Sequence, residues 1–389
     1  MTQSPLKLAI VAGEESGDLL GADLVNSIRK RLAGRTVQLV GVGGDHLSAL
    51  GLKSMINQHD IALVGLSAVL VKLPQLIYKI SKVANAIIAA KPDCLIIIDS
   101  PDFTHRVAKK VRAADPSIPI VNYISPSVWA WRPQRARIMR SYIDHVLTIL
   151  PFEVQALRDL DGPDATYVGH RLVSHPPLIA ARQTQLERAA FHDRAGPDNT
   201  ILILPGSRRS EIRSLMGPFG LAVQELKERN PDLSFVLPTL PSVEGLVREE
   251  MQSWPVQIDV VIGEDAKYRA FSVARAALAA SGTVSFELAL ARVPTVLAYK
   301  ADWFAKVFIA PRIRIWSAAL PNIITDSALV PETFNESIRP GLLARQIEGL
   351  VPNGPKRQAQ LNGFDRLAEI MATERPSGEI AAEKIIELT

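Results

Sequence analysis

At 389 residues the chain is longer than one typical hydrophobic core supports, so two domains are expected. It is 47% hydrophobic and 22% charged, an ordinary globular composition, and no stretch reaches the roughly 18 uninterrupted apolar residues of a membrane span. The net charge of +4 fits an anionic substrate or an anionic membrane surface. Zinc-knuckle and interleaved aromatic-basic patterns are absent, which disfavours nucleic acid. The seven histidines show no metal-ligand spacing, so no bound structural metal is expected; no cofactor is expected either. The polar lead Met1–Lys7 lacks a secretory signal pattern, and the single cysteine, Cys94, cannot form an internal disulfide; both point to the cytosol.

The first half alternates short aliphatic runs with amphipathic segments. Strands are expected at Leu6–Ala12, Val37–Val42, Cys94–Ile98, Ile118–Ile124 and His145–Ile149. Helices are expected at Asp18–Leu32, Ala84–Ala90, His105–Ala114 and Arg135–Tyr142. Between them, Leu66–Lys82 is apolar, carries Lys72, Lys79 and Lys82, and is interrupted by Pro74; it reads either as a membrane-surface segment or as a core helix with snorkelling lysines. The stretch Gly169–Asn199 reads as a linker with one helix, so the chain is cut near residue 170. The second half repeats the grammar. Its strands are Thr200–Leu204, Ser234–Pro238, Ile258–Ile262, Ala276–Ala280 and Thr295–Tyr299, and its helices are Leu215–Glu228, Tyr268–Val273 and Thr283–Ala291. Aliphatic runs alternating with helices mean parallel sheets buried on both faces: an α/β protein of two doubly wound, Rossmann-like domains facing a cleft. The expected division is 1–170, 171–365, and a C-terminal helix in 366–389 that packs on the N-terminal domain or on a partner chain.

The turns that follow the strands carry the chemistry. Gly13-Glu14-Glu15-Ser16-Gly17-Asp18 occupies the place of a dinucleotide fingerprint without being one. Its carboxylates would repel a pyrophosphate and suit sugar hydroxyls; the alternative is a helix start capped by Ser16. Asp99, after four aliphatics, is a candidate general base, while Asp102 fits a helix cap. In Ser125-Pro126-Ser127-Val128-Trp129-Ala130-Trp131-Arg132, Trp129 and Trp131 could stack on sugar rings or line an acyl pocket, or simply pack a loop, with Ser125 and Ser127 beside them. Gly206-Ser207-Arg208-Arg209 follows a strand and opens a helix, an anion site reinforced by an arginine fork; pairing of Arg208 and Arg209 with Glu211 is the alternative. Ser281-Gly282-Thr283 is a second such turn, and Glu287, one helical turn on, is placed to accept from ribose hydroxyls. Two anion turns plus a ribose acceptor are the parts of a nucleotide-sugar site.

These segments, in order and over nearly the whole chain, resemble the lipid-A-disaccharide synthases. The resemblance rests on the Gly13–Asp18 turn, Ile98–Phe103, Ser125–Arg132, Leu150-Pro151-Phe152-Glu153, Val168-Gly169-His170, Leu204–Ile212, Ala280–Thr283 with Glu287, Leu320-Pro321-Asn322 and Val330-Pro331-Glu332. It implies the GT-B glycosyltransferase fold. It also implies inverting transfer of 2,3-diacylglucosamine from UDP-2,3-diacylglucosamine to 2,3-diacylglucosamine 1-phosphate (lipid X), without a required metal, by a peripheral enzyme at the cytoplasmic face of the inner membrane of Gram-negative bacteria. A homodimer stays open. By the same resemblance Asp99, Arg208 and Asn322 fall on positions needed for activity, and Ser281, Gly282, Thr283 and Glu287 on the UDP turn. The chain departs from the common pattern at Ala68, at Asn335 and at Ser317-Ala318-Ala319. Another GT-B UDP-sugar transferase, an epimerase, or a nucleotide-sugar binding protein without turnover are the alternatives.

Overall fold

The ten aliphatic runs each form a strand, because β-branched and other aliphatic residues without polar alternation suit a sheet covered on both faces. The computed structural model describes residues 4–58, 61, 69–191, 199–301 and 312–389. The chain divides into two compact units, one comprising residues 1–171 with 373–389 and the other residues 172–372.

In the first unit the strands are β1 (Leu6–Ala12), β2 (Val37–Val42), β3 (Cys94–Ile98), β4 (Ile120–Tyr123), β5 (His145–Thr148) and β6 (Asp164–Tyr167). They form one parallel sheet in the order β2-β1-β3-β4-β5-β6. The central strand β3 is buried along its whole length. The connection from β1 goes to β2 on one side, and the chain then crosses to β3 on the other. The strand order therefore reverses between β1 and β3, and the crevice at the carboxyl ends of these two strands is where an open α/β sheet takes ligands.

The second unit has the same design with β7 (Thr200–Leu204), β8 (Ser234–Thr239), β9 (Asp259–Ile262), β10 (Ala276–Ala280), β11 (Thr295–Tyr299) and β12 (Glu332–Phe334). Its order is β12-β11-β10-β7-β8-β9, again all parallel. Here the reversal lies between β7 and β10. The turns after these two strands are Gly206–Arg209 and Ser281–Thr283, so both anion turns meet at the switch point of their own sheet.

Several boundaries differ from expectation. The first helix begins at Glu15, not Asp18, and the helix after β3 begins at Pro101 rather than His105. Helix periodicity shows only where several apolar residues recur on one face; the first turn Glu15–Asp18 has none, and Pro101–Thr104 buries a single large one, Phe103. The helix Val69–Ala90 runs through Pro74 instead of being interrupted there. A proline so near a helix start forfeits one backbone bond without ending the helix. Leu76, Ile80, Val83, Ala84 and Ile87 bury one face of it in the core, and Ile77 and Tyr78 stay exposed. Leu66, Ser67 and Ala68 lie outside the described residues. The C-terminal part is two helices, Pro355–Met371 in the second unit and Ser377–Glu387 in the first. The latter packs against Glu15–Arg31, with Ala381, Ala382 and Ile385 in the core and Lys30–Glu379 and Arg31–Glu383 ion pairs at the edge. Among the described residues no helix is long and apolar enough to cross a membrane.

Candidate active site

At the β1/β3 switch point the backbone is forced close. The Gly13 N–H donates to the Ile98 carbonyl at 3.2 Å, and a Cβ on Gly13 would fall 2.2 Å from the Ser100 side chain, so only glycine fits. Asp99 and Ser100 both adopt left-handed backbone, φ 57° and 43°. Two further residues with side chains at the same edge of this sheet do so as well, Ile124 (φ 75°) and Arg132 (φ 55°). Such conformations cost on the order of 1–3 kcal/mol each and concentrate at functional sites. The strain holds Asp99 half-buried at the end of β3, where one carboxylate oxygen accepts from its neighbour's amide (Ser100 N, 2.7 Å) and the other from Ser16 Oγ (3.3 Å). Thr104 Oγ1 donates to the Asp99 carbonyl at 2.7 Å and pins the turn. Ser16 therefore meets Asp99 and makes no helix cap. Glu14 and Ser16 are exposed here, and Gly17 packs against Asp99.

Asp18 is placed differently. It is buried, and its carboxylate accepts from the amides of Gly44 (2.7 Å), His46 (2.8 Å) and Leu47 (3.3 Å). It anchors the turn after β2 and is turned toward backbone, not toward the open edge.

The tryptophan-rich turn after β4 is built around a buried carboxylate. Ser125 is buried and Ser127 exposed; the Ser127 carbonyl accepts from the amides of Ala130 and Trp131. Trp131 stacks under the Arg132 guanidinium at 4.1 Å. Trp129 Nε1 donates to Glu153 Oε1 at 3.1 Å and its ring meets Phe152 edge-on at 4.9 Å. Glu153 Oε2 accepts from the amides of Ile149 and Leu150, so the carboxyl ties the turn to the strand end of β5. Burial pushes the Glu153 carboxyl up to about 7, against the lowering effect of these three hydrogen bonds. A carboxyl whose folded pKa is raised gives stability that is fully present below its ordinary value near 4.5 and is lost as pH rises through about 7. The wild type is therefore expected to lose melting temperature between pH 5 and 8 relative to Glu153→Gln. Parallel melting curves for the two proteins over that range would discount the assignment.

In the second unit, Gly206 stands at φ 115°, a conformation that favours glycine, and opens the turn after β7. The Ser207 and Arg208 amides point at Glu211 Oε2 (3.2 and 3.3 Å), and Arg208 Nη1 donates to Glu211 Oε1 at 3.1 Å. The anion seat anticipated from sequence is thus held by the chain's own carboxylate. Arg208 and Arg209 are exposed beside it. After β10, the Ser281 amide bonds the Ala298 carbonyl and its Oγ the Ala318 carbonyl at 3.3 Å, which joins this turn to the segment Ser317–Asn322. Gly282 and Thr283 are exposed at the start of the helix Thr283–Leu290.

Glu287 is buried and already paired. Lys267 Nζ donates to both of its oxygens at 3.1 and 3.0 Å, and Tyr268 Oη to Oε1 at 3.2 Å. Asn322 is also buried. Its Oδ1 accepts from the Leu329 and Val330 amides, and its Nδ2 donates to the Val330 carbonyl and to Glu332. Glu332 in turn accepts from Ser317 Oγ and from the Ala318 amide. Asn322 acts as the clamp that sets the Ser317–Glu332 segment against the Ser281 turn. The departures at Ser317–Ala319 sit in this clamp, and the Asn335 amide oxygen accepts from the Ala301 amide at 2.9 Å. Glu153, Lys267, Tyr268 and Glu332 were not singled out by role from the sequence. Lys267 and Tyr268 could have been found, since a buried carboxylate such as Glu287 demands a cationic or hydroxyl partner.

Two doubly wound parallel sheets, each with its polar turns gathered at its own switch point, define a protein of the GT-B fold. Solved structures agree on the fold. The chain is similar to the UDP-GlcNAc 2-epimerase of Neisseria meningitidis (TM-score 0.58, 14% identity, 98% of this chain and 99% of that one). It is also similar to a glycotransferase of kitacinnamycin (TM-score 0.63, 15% identity, 99% and 100%). Sequence goes further. The family model for lipid-A-disaccharide synthetase matches residues 8–386. The lipid-A-disaccharide synthase of Nitrobacter winogradskyi is 46% identical over 98% of this chain and 95% of its own length, and that of Rhodospirillum centenum 39% identical over 99% and 95%. The chain belongs to the lipid-A-disaccharide synthetase family and is a glycosyltransferase.

Proposed function

We propose that the chain transfers 2,3-diacylglucosamine from UDP-2,3-diacylglucosamine to the 6-hydroxyl of 2,3-diacylglucosamine 1-phosphate (lipid X). The products are the β-1,6-linked disaccharide 1-phosphate and UDP, with inversion at the anomeric carbon. Family membership across residues 8–386 carries this reading. In it the first unit holds the acceptor and the second the UDP-sugar. Asp99 takes the proton from the attacking hydroxyl. Arg208 and the amides of the Gly206 and Ser281 turns stabilise the diphosphate as it leaves; Glu211 swings off the Ser207 and Arg208 amides to admit it. Lys267 and Tyr268 orient Glu287 toward the ribose.

Both substrates carry acyl chains, and burying each methylene gains about 0.8 kcal/mol, so the enzyme meets them at the bilayer. Exposed Ile77 and Tyr78 with Lys82 on the helix Val69–Ala90 supply an apolar and cationic contact for the cytoplasmic membrane face. One experiment tests both statements. Anionic vesicles carrying the two lipids are incubated with the enzyme, the lipids are read by mass spectrometry, and vesicle flotation is followed with added salt. The disaccharide 1-phosphate is the expected product, and flotation weakens with salt. Consumption of the UDP-lipid without a disaccharide would overturn the reaction; salt-independent flotation would overturn the electrostatic contact.

A further inference from the structure

A cavity of about 450 Å³ in the first unit has no part in the scheme above. It opens at the carboxyl edge of the sheet beside Pro101 and Asp102 and runs between the helices Pro101–Ala114 and Gln134–Met139. Arg106, Lys109, Arg132 and Arg135 line it, with His105 and Tyr142. The one acid in its lining, Asp102, has its side chain 72% exposed and pairs with Arg135 at 3.2 Å. The wall therefore carries four cations against one carboxylate.

Three of the four cations have a partner: Arg135 pairs with Asp102, and the other two meet aromatic rings. Arg132 is fixed by its left-handed backbone and by stacking on Trp131, and Lys109 Nζ sits 4.8 Å over the Tyr142 ring. Tyr142 Oη is hydrogen-bonded to His105 Nδ1 at 3.0 Å, and His105 is only 5% exposed. Burial, followed by the charges of Arg135 and Lys109, pulls the His105 ring down to about 3, so it stays neutral and leaves the cavity's field to the arginines and the lysine. Three guanidinium groups and one ammonium around a cavity, with neutral hydrogen-bonding groups behind them, match a phosphate group.

Position narrows the choice. Asp99 directly follows β3, and Asp102, Arg106 and Lys109 come after it on one face of the next helix at intervals of four and three residues. The cavity's lining begins at Pro101 and Asp102, directly after the left-handed pair Asp99-Ser100. The proposed acceptor carries its 1-phosphate on C1 and its 6-hydroxyl on the arm at C5, the two carbons that flank the ring oxygen, so the two groups lie within one sugar ring's width of each other. We propose that this cavity is the subsite for the acceptor's phosphomonoester, with Arg106, Lys109, Arg132 and Arg135 gripping the phosphate while the 6-hydroxyl reaches Asp99. This assignment rests on the reaction proposed above.

The test uses the full chain in neutral detergent micelles, which carry no anionic lipid. Two acceptors are compared, 2,3-diacylglucosamine 1-phosphate and the same lipid without its phosphate. The wild type is expected to favour the phosphorylated acceptor in kcat/KM by roughly tenfold or more, the value of a charged hydrogen bond. Arg106→Ala and Lys109→Ala should each lose most of that preference through the acceptor KM. Activity on the unphosphorylated acceptor, the donor KM and the melting temperature should hold, and Arg106→Lys should restore part of the preference. Equal loss on both acceptors overturns the subsite, as does a raised donor KM, which would make the cavity part of the diphosphate site. A phosphate preference unchanged in the variants, with lost binding to phosphatidylglycerol vesicles, also overturns it and makes the cavity a headgroup contact. No product from either acceptor with the wild type overturns the reaction itself, a result distinct from all of these.

Discussion

Asp99→Ala is expected to lower turnover by roughly 10²–10⁴, the range for a lost general base, while UDP affinity changes little. The expectation comes from how much local structure is spent on one side chain. Two consecutive residues, Asp99 and Ser100, hold left-handed backbone, and the neighbouring strand turn can approach only because residue 13 is glycine. The carboxylate so placed has light hydrogen bonding, one amide and one hydroxyl, and is half-buried at the edge where an open sheet takes ligands. A helix cap alone would not require this: Asp99 caps nothing, and the helix Pro101–Ala114 makes no side-chain cap bond with Ser100. Single-turnover measurements with saturating donor separate chemistry from binding. Near-normal turnover in the variant would remove Asp99 from the mechanism. Asp99→Asn makes the sharper comparison, because it keeps the shape and the bond from the Ser100 amide, with Ser16 Oγ accepting instead of donating, while removing the basicity.

The same turn shows why part of the site was legible in the sequence. An aliphatic strand followed by a polar turn announces a carboxyl edge, and the sequence marks the edges of β1, β7 and β10 with glycine-bearing turns and those of β3 and β4 with serine- and proline-bearing ones. The order of strands was not legible, since parallel pairing is decided by crossovers far apart in the chain; only the structure shows that the marked turns meet in pairs at the two switch points. Strands without an aliphatic run were invisible. Asp164–Tyr167 reads Asp-Ala-Thr-Tyr and lies at a sheet edge, and Glu332–Phe334 is three residues long.

Side-chain partners were the least legible feature, because hydrogen bonds join residues with no fixed spacing. Asp18 stands in the glycine-flanked turn yet faces backbone amides 26 to 29 residues away. From sequence Glu211 reads only as a surface partner for the arginines, yet it covers the amides of the anion turn itself. Asn322 had a role only through family resemblance. Its four hydrogen bonds make it a clamp on Leu329–Glu332, and Ala318, which Glu332 binds, meets the Ser281 turn.

Glu287→Ala is expected to weaken UDP binding roughly tenfold or more and to lower the melting temperature as well. The first effect follows if the carboxylate holds ribose hydroxyls, since a lost hydrogen bond to a charged group costs about 1.5–3 kcal/mol. The second follows from its partners. The Lys267 and Glu287 side chains are 20% and 12% exposed, and Tyr268 adds a third group to the cluster. Removing one partner of a buried pair costs about 3–5 kcal/mol, because the other charge is left uncompensated. For a unit of about 200 residues that is a fall of roughly 6–20 °C. The two roles separate in a double variant. Lys267→Met with Glu287→Ala removes the stranded cation and should recover much of the melting temperature, while UDP affinity stays low if the carboxylate touches the nucleotide. Calorimetric titration with UDP on both variants and the wild type decides it: an affinity that returns together with the melting temperature would assign Glu287 to the fold of the second unit and leave the ribose to another residue.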